Sequence, residues 1–314
     1  MLLADFIRTG TARLGNLYPS PEAKGMVLML CEEKLGVRNY THIIEPRTPV
    51  PPEREAELLD DLRRLCAGEP IQYVLGVAEF CGHRFAVGPG VLIPRPETEL
   101  LVAEGVNALR AMDLDRAPRV LDLCTGSGCI AWSVALEIRD AQVVGVDLSE
   151  TALDFARKQF SAGGSLPDGR TEIIFRTGLP KNQFPLRVSA GGGSPVFLQA
   201  DVLDEQTEIP GGPFDLILSN PPYILGSERA QMRPNVLDYE PPEALFVPDG
   251  NPLLFYRAIA RRARQLLRPG GTGLVEINET LGAETAGVFR SAGYKNIQIL
   301  RDFFGKERFI RFSD

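Results

Sequence analysis

The fold of this chain can be read from one segment, Arg119-Val-Leu-Asp-Leu-Cys-Thr-Gly-Ser-Gly-Cys-Ile-Ala131. Its first five residues are typical of a short buried strand, and a helical pattern follows Gly128. Glycines at such a turn let the backbone approach a ligand, and the helix N-terminus offers free N–H groups. We therefore predict a nucleoside-like ligand here, although the Gly-x-Gly-x-x-Ala spacing also fits a dinucleotide site.

Further strands are predicted on both sides of this segment. From residue 118 onward, short β-branched runs alternate with helical stretches, which predicts a doubly wound, mostly parallel α/β sheet. The last two runs are joined by a short turn at Gly305 and predict a hairpin at the sheet edge. The predicted strands are 119–123, 142–146, 195–199, 214–218, 273–277, 297–300 and 308–312.

The N-terminal part has a different pattern, typical of short helices without strands. One helix is predicted to start with Ser20 as its cap and to end at Gly36, and a second to start at Pro51-Pro-Glu53. The predicted domains are a helical bundle at 1–72, a β-hairpin or ribbon linker at 73–98, and an α/β domain at 99–314. A glycine-, serine- and proline-rich stretch at 161–194 is predicted to be a mobile insertion in the last of these.

Composition excludes several classes of protein. The chain has 314 residues, 44% of them apolar, and a net charge of −7. Broad nucleic-acid binding is not expected, because it needs clustered Lys and Arg. No signal peptide and no run of 18 apolar residues occurs, so we expect a soluble cytoplasmic protein without membrane contact. Five scattered cysteines and two histidines predict neither a metal site nor disulfides.

A corner formed by Asn220, Pro221, Pro222 and Tyr223 follows the apolar run 214–218. An amide or base NH2 is a weak nucleophile that must be held in line, with its hydrogens engaged by acceptors. The Asn220 side-chain oxygen and the Pro221 carbonyl can be those acceptors, and the Tyr223 ring can lie on the flat group. The corner therefore indicates methylation of a planar NH2, although Asn-Pro also ends strands in ordinary turns.

Two acidic residues follow predicted strands. Asp147 ends the second strand, where a carboxylate suits two ribose hydroxyls. Its other possible role is to cap the helix that starts near Ser149. Asp201, just past the third strand, either accepts a hydrogen bond from an adenine amino group or caps a loop.

Several motifs in this order resemble the class I S-adenosylmethionine-dependent methyltransferases, and more narrowly the release-factor glutamine methyltransferases of the PrmC/HemK kind. The resemblance covers most of the chain. Its motifs are Glu69-Pro-Ile-Gln-Tyr-Val-Leu-Gly76, Phe80-x-Gly82-x-x-Phe85, Ile93-Pro-Arg-Pro-Glu-Thr-Glu99, Asp122-x-x-Thr-Gly-Ser-Gly128 and Ser219-Asn-Pro-Pro-Tyr-Ile224.

The resemblance implies a helical domain that grips a protein substrate, a ribbon linker, and a seven-stranded, mostly parallel catalytic sheet with a reversed edge strand. It implies a monomer that uses S-adenosyl-L-methionine, releases S-adenosyl-L-homocysteine, and methylates the glutamine amide N5 in the Gly-Gly-Gln loop of peptide chain release factors. The implied substrate-binding residues are those of the corner, Asn220, Pro221, Pro222 and Tyr223, and all of these except Pro222 are also the implied catalytic residues. The implied cofactor-binding residues are Cys124, Thr125, Gly126, Ser127, Gly128, Asp147, Asp201, Val202 and Asn220.

The chain departs from the family pattern at three places. Val202 stands where a large residue is common, Glu276-Ile-Asn278 replaces the common Glu-Ile-Gly, and the insertion is long. Arg95 and Glu97 are expected either to shape the active-site entrance or to lock the linker.

Other functions stay open at this point. Relatives that methylate a ribosomal-protein glutamine share the corner but differ in the segment Pro94 to Glu99. DNA adenine N6-methylation uses a similar corner but needs base flipping and phosphate contacts. A nicotinamide-dependent dehydrogenase or a non-enzymatic binding module would account for the glycine turn alone.

Overall fold

The computed structural model describes residues 1–160 and 193–314. The predicted insertion at 161–194 therefore lies outside the described residues, apart from its last two. The described chain forms two compact units, one made of Met1–Val77 with Met232–Glu240 and the other of Ala78–Gln231 with Pro241–Asp314. The domain limits at 72 and 98 stay predictions.

Helices are numbered in chain order over the described residues. Those of the first unit are α1 (Leu3–Leu14), α2 (Ser20–Leu35), α3 (Thr41–Ile44), α4 (Pro52–Cys66), α5 (Ile71–Leu75) and, from the distant segment, α9 (Pro234–Leu237). Those of the second unit are α6 (Thr98–Arg110), α7 (Cys129–Glu137), α8 (Glu150–Lys158), α10 (Pro242–Leu245), α11 (Leu254–Leu266) and α12 (Gly282–Ser291), with a 3-10 turn at Gly226–Gln231.

Proline and glycine set the limits of helix α2 in the first unit. Pro19 occupies the cap position, and Gly36 ends the helix in the left-handed conformation, with φ +66°. The predicted Ser20 cap is wrong, because the helix begins one residue earlier than expected and Ser20 is already helical. The bundle core is aliphatic and includes Leu3, Phe6, Leu14, Val27, Leu30, Leu58 and Leu62.

The segment 232–240 belongs to this helical unit although it follows the Asn-Pro-Pro-Tyr corner by only a few residues. Arg233 forms an ion pair with Glu22 on helix α2. The Tyr239 hydroxyl donates a hydrogen bond to the Ala67 carbonyl at 3.0 Å. The chain therefore leaves the second unit after the corner and returns to it at Pro241.

The second unit is built on a seven-stranded sheet. Its order is β10-β11-β9-β6-β3-β4-β5, and every neighbouring pair is parallel except those that involve β11. The predicted α/β fold class is confirmed, with the reversed strand one position inside the edge strand. The described strands are β1 (Val77–Phe80), β2 (His83–Ala86), β3 (Arg119–Leu123), β4 (Gln142–Asp147), β5 (Val196–Gln199), β6 (Phe214–Ser219), β7 (Ile224–Leu225), β8 (Phe246–Val247), β9 (Leu267–Glu276), β10 (Asn296–Arg301) and β11 (Glu307–Ser313).

Strand β9 begins earlier than its predicted start at Gly273. The prolyl and glycyl residues after Leu267 look like a turn in sequence, but they form an irregular start to the strand. The pairing with β6 shifts register there, and Gly270 takes a φ of +76°. Such a bulge accommodates residues that cannot join a regular ladder.

The strand register brings the carboxyl ends of the central strands to one level. Leu123 of β3 pairs with Val146 of β4 and with Ser219 of β6, and Ser219 in turn pairs with Val275 of β9. Residues just past these positions therefore meet at one edge of the sheet. Ligands of open α/β sheets bind at such an edge.

The ribbon formed by β1 and β2 is attached to this edge. Its two-residue turn, Cys81-Gly82, has positive φ at both residues, as a type I′ hairpin requires. The buried Gln159 side chain exchanges hydrogen bonds with the backbone of Ala86 and also donates to the Ser127 carbonyl. The ribbon is thereby tied to the glycine turn. Across the described residues, no helix combines the length and hydropathy needed to span a membrane.

Candidate active site

The glycine turn after β3 has the backbone conformation that its sequence predicts. Gly126 and Gly128 both have positive φ, and Gly128 is the cap residue of helix α7. A Cβ on Gly128 would come within 2.9 Å of Ala156, whereas none of the described atoms lies within 4 Å of a Cβ built on Gly126. Gly128 is therefore required for packing, and Gly126 opens the turn toward a ligand.

Asp122, the acid at the start of this turn, is fully buried. Its Oδ2 accepts hydrogen bonds from the Thr125 hydroxyl and the Ala131 N–H, while its Oδ1 has no partner among the described residues. Burial raises the pKa of the Asp122 carboxyl to about 7, against those two hydrogen bonds, which lower it. A carboxyl buried this completely favours its neutral form, so Asp122 supports the turn from inside the fold.

Asp147, at the end of β4, faces the same turn. Its two oxygens accept the Gly126 N–H at 2.8 Å and the Ser149 N–H at 2.9 Å. Each carboxylate oxygen can accept a second hydrogen bond, so capacity for hydroxyl donors remains. The cap of helix α8 is Ser149, whose hydroxyl accepts the Ala152 N–H, so the capping role considered for Asp147 belongs to Ser149 instead.

Asp201 and Val202 follow β5. Asp201 Oδ1 accepts the Leu203 N–H at 2.8 Å, which is the loop-capping contact considered for it. Val202 is buried among Leu198, Ala200 and Ile209. Any contact of Val202 with a ligand therefore falls to its backbone rather than its side chain.

The Asn-Pro-Pro-Tyr corner begins directly after β6. Ser219 is fully buried, and its hydroxyl donates a hydrogen bond to the Leu123 carbonyl at 2.7 Å, which fixes the corner to the strand that leads into the glycine turn. Pro221 and Pro222 are buried, while Asn220 is half-buried. The structure thus places the corner and the glycine turn on neighbouring strand ends.

A chain of hydrogen bonds orients the polar side chains of the corner. Asn220 Nδ2 donates to the Thr98 hydroxyl at 3.1 Å, and Thr98 donates to Glu276 Oε2 at 2.7 Å. The Tyr223 hydroxyl donates to the other oxygen, Glu276 Oε1, at 2.9 Å. We call Asn220, Thr98, Glu276 and Tyr223 the corner network.

The carboxylate sets the direction of the corner network. An ionised carboxylate only accepts, so both hydroxyls must donate to Glu276, and Thr98 is left to accept from the Asn220 NH2. The Asn220 carbonyl oxygen then points away from Thr98. Burial raises the pKa of Glu276, opposed by the hydrogen bonds from Thr98 and Tyr223 and by nearby Arg308. Burial, with Glu276 beside it, also raises the pKa of Tyr223.

Asn278 holds the corner from the other side. Its Nδ2 donates to the Tyr223 carbonyl at 3.3 Å and to Glu228 Oε2 at 3.0 Å, and the same Glu228 oxygen accepts the Leu225 N–H at 2.7 Å. Its Oδ1 accepts from the Thr280 N–H and hydroxyl. Asn278, which stands where the family commonly has glycine, therefore adds hydrogen bonds between the end of β9 and the segment after the corner. We call these hydrogen bonds the Asn278 strut.

Three members of this arrangement have no predicted role in the sequence. Thr98 lies within a recognised motif, Glu276 ends a strand, and Asn278 appears only as a departure. One signal in the sequence could have predicted a role for Glu276. It stands at the carboxyl end of a buried strand, as Asp147 and Asn220 stand at the ends of two other strands. Arg95 and Glu97 are half-buried beside Thr98, and their two expected roles stay predictions.

Together these features fit a ligand with hydroxyl and amine donors. Asp147 has remaining acceptor capacity, and the space beside Gly126 is open. The neighbouring Asn220 oxygen offers an acceptor for a second group. The arrangement can hold a nucleoside-like cofactor and an NH2 group side by side.

Comparison with known proteins gives matches in both parts of the chain. Residues 5–76 match the PrmC N-terminal domain family, and residues 120–192 match a methyltransferase domain family. A release factor glutamine methyltransferase of Bacteroides thetaiotaomicron is 39% identical over 95% of this chain and 95% of that protein. Proteins with the same name from Flavobacterium psychrophilum (31% identical; 99% of each chain) and Chlorobaculum tepidum (34%; 88% of this chain and 85% of that one) are also similar.

Proposed function

The chain belongs to the release factor glutamine methyltransferase family, and from that premise we propose that it transfers a methyl group to the side-chain amide nitrogen of the glutamine in the Gly-Gly-Gln loop of a peptide chain release factor. The chain is an S-adenosyl-L-methionine-dependent methyltransferase. The observation that carries the proposal is the corner network, which engages the Asn220 NH2 group and leaves the Asn220 carbonyl oxygen to accept from another group, on the strand next to the one that leads into the glycine turn.

The residues proposed to hold the cofactor surround the glycine turn. Asp147 accepts from the ribose hydroxyls, and the turn from Cys124 to Gly128 brings its backbone close to the cofactor. Asp201, Val202 and Asn220 complete the predicted set. When bound, the sulfonium of S-adenosyl-L-methionine supplies an electrophilic methyl group, and S-adenosyl-L-homocysteine remains after transfer.

The corner positions the glutamine. Asn220 Oδ1 and the Pro221 carbonyl accept the two amide hydrogens, so that the nitrogen lies in line with the methyl group. Tyr223, tethered through its hydroxyl to Glu276, places its ring against the amide plane. The nitrogen gains a methyl group and then loses one proton readily, so no strong base is needed.

The other functions fit the observations less well. A dehydrogenase or a plain binding module needs the glycine turn but gives no role to the corner network. DNA methylation needs phosphate contacts, and the net charge of −7 opposes it. The ribosomal-protein relatives differ in the segment that carries Thr98. We propose a release factor as the partner, without nucleic acid or metal, while a monomeric state and a cytoplasmic location stay predictions.

Transfer of labelled methyl groups tests the proposal. The full chain is incubated with S-adenosyl-L-methionine carrying a tritiated methyl group and with a purified, unmethylated release factor. We expect label on the intact factor and none when the glutamine of its Gly-Gly-Gln loop is replaced by alanine. Label that persists after the replacement, or that appears only on ribosomal protein or DNA, contradicts the proposal.

A further inference from the structure

The hairpin between β10 and β11 exposes two phenylalanines at its tip. Phe303 is 87% exposed and Phe304 82%, more than any other large apolar side chain in the described residues. The neighbouring strands bury apolar residues such as Phe309 and Ile310. Two adjacent exposed phenyl groups are unusual on a soluble surface and indicate a binding role.

Hydrogen bonds to Asp302 fix the backbone of the tip. Asp302 Oδ1 accepts the N–H groups of Phe304 at 2.9 Å and Lys306 at 3.0 Å, and its Oδ2 accepts the Arg308 guanidinium at 3.0 and 3.1 Å. Gly305 closes the turn with a φ of +78° and donates to the Asp302 carbonyl. The backbone of the turn is therefore preorganised, which lowers the entropic cost of binding through the two side chains.

The tip stands at the same edge of the sheet as the corner network. β11 pairs with β9, with Phe309 opposite Glu276, and the Ile277 N–H donates to the Arg308 carbonyl at 2.9 Å. The Arg308 side chain holds Asp302, while its charge acts on Glu276. Since β9 separates β11 from β6, β11 lies about 10 Å to the side of β6, and the tip projects past the strand ends on the side where Asn220 follows β6.

The charges around the tip balance. Arg301 pairs with Glu307, Lys306 with Glu279, and Arg308 with Asp302. Three cations and three carboxylates leave no net charge. The tip therefore has no excess positive charge to attract the phosphates of nucleic acid or of an anionic membrane. An apolar tip with a neutral rim instead fits an apolar patch on a protein.

We propose that Phe303 and Phe304 form a docking tip for the folded protein substrate, contacting an apolar surface beside the loop that carries the target glutamine. This inference rests on the proposed function. A glutamine that reaches Asn220 brings its flanking chain to the edge of the sheet from which the tip projects. Docking there raises the local concentration of the loop at the site without adding contacts to the reacting amide.

Steady-state kinetics on the full chain tests the docking tip. The variant Phe303→Ser/Phe304→Ser is compared with wild type on a purified release factor and on a short peptide that contains Gly-Gly-Gln. We expect KM for the release factor to rise about tenfold or more, with kcat, peptide turnover and S-adenosyl-L-homocysteine affinity unchanged. Phe303→Leu/Phe304→Leu restores most of the affinity, and Ile299→Ser, at an exposed position on the same hairpin, leaves KM unchanged.

Three results would overturn the docking tip. One is an unchanged KM for the release factor in the serine variant. Another is an equal loss of activity on the release factor and on the peptide, which would show that the substitutions disturb the active site itself. The third is that wild type forms a dimer, that the serine variant is monomeric, and that KM is the same in both. The tip would then be a contact between two copies of the chain. If wild type does not methylate the factor at all, the proposed function fails instead.

Discussion

Glu276 is the residue on which the orientation of Asn220 depends. It accepts from both Thr98 and Tyr223, and a glutamine in its place can accept through only one of its two end atoms. We expect Glu276→Gln to lower kcat about 10- to 100-fold, since a small displacement of a positioning group is costly. The KM for S-adenosyl-L-methionine should stay within about threefold, because Glu276 does not contact the glycine turn.

The pH dependence of kcat separates this positioning role from a structural one. Burial raises the pKa of Glu276, and only the ionised form accepts from both hydroxyls. Wild-type kcat should therefore fall on the acid side as Glu276 becomes protonated, and the glutamine variant should lack that limb. Glu284→Gln, on the exposed first turn of α12, is the matched control. Wild-type turnover and pH profile in Glu276→Gln would remove Glu276 from the mechanism.

Asp122 should make the stability of the unliganded chain depend on pH. The unfolded carboxyl loses its proton near pH 4, while burial raises the folded pKa to about 7. Between these values the folded state binds more protons than the unfolded state, so raising the pH destabilises the fold, and the effect levels off above pH 7.

Denaturant unfolding at pH 5 and pH 8 measures this contribution. Relative to Asp122→Asn, which cannot titrate but keeps the shape, wild type should lose about 2 to 3 kcal/mol of unfolding free energy between the two pH values. Parallel pH dependences of the two proteins would show that Asp122 is ionised throughout this range.

Among the secondary-structure elements, β9 does most to hold the corner, because Glu276 ends this strand and Asn278 follows two residues later. The Asn278 amide joins the Tyr223 carbonyl to Glu228, which in turn holds the Leu225 N–H. Asn278→Gly should leave cofactor affinity unchanged, lower kcat about 3- to 10-fold, and speed hydrogen exchange at Leu225 about tenfold.

Asn278→Asp is a sharper test of the strut. It replaces the donor with a carboxylate about 3 Å from Glu228, so repulsion adds to the lost hydrogen bond and the effects should exceed those of the glycine variant. Asn107→Ala, at an exposed position on α6, is the control. An unchanged rate of hydrogen exchange at Leu225 in both Asn278 variants would show that the Asn278 hydrogen bonds do not stabilise the segment after the corner.

Sequence patterns predict the strands well where burial is continuous. β3 and β6 start where their apolar runs predict, because each is covered on both faces. The irregular start of β9 is not predictable, since Pro269 and Gly270 have the local preferences of a turn and only pairing with β6 makes them part of a strand. Ser20 shows the same limit at a helix start, where the cap falls on Pro19.

Across the molecule, local motifs identified the groups that act on ligands, while long-range contacts supplied the groups that orient them. Asn220 and Asp147 follow strands and carry recognisable chemistry. Thr98 lies 122 residues before Asn220 and 178 before Glu276, so no local pattern joins them. The segment 232–240 similarly joins the helical unit only in the folded chain.

Two compact units serve one proposed reaction. The helical unit matches the PrmC N-terminal domain, and the sheet unit carries the glycine turn, the corner and the exposed hairpin tip. A folded protein substrate can contact the enzyme outside the reacting loop, which a short peptide cannot do. Methyl transfer to a whole release factor and to a short peptide should therefore differ mainly in KM.

The most direct test is single-turnover methyl transfer by Asn220→Ala on a release factor, with the affinity for S-adenosyl-L-homocysteine measured by calorimetry on the same preparation and Asn107→Ala as the control. Asn220 is proposed to hold the glutamine amide through Oδ1, so its loss should lower the transfer rate about a thousandfold or more and should weaken cofactor binding far less than that. A transfer rate equal to that of wild type would contradict the role of the corner network.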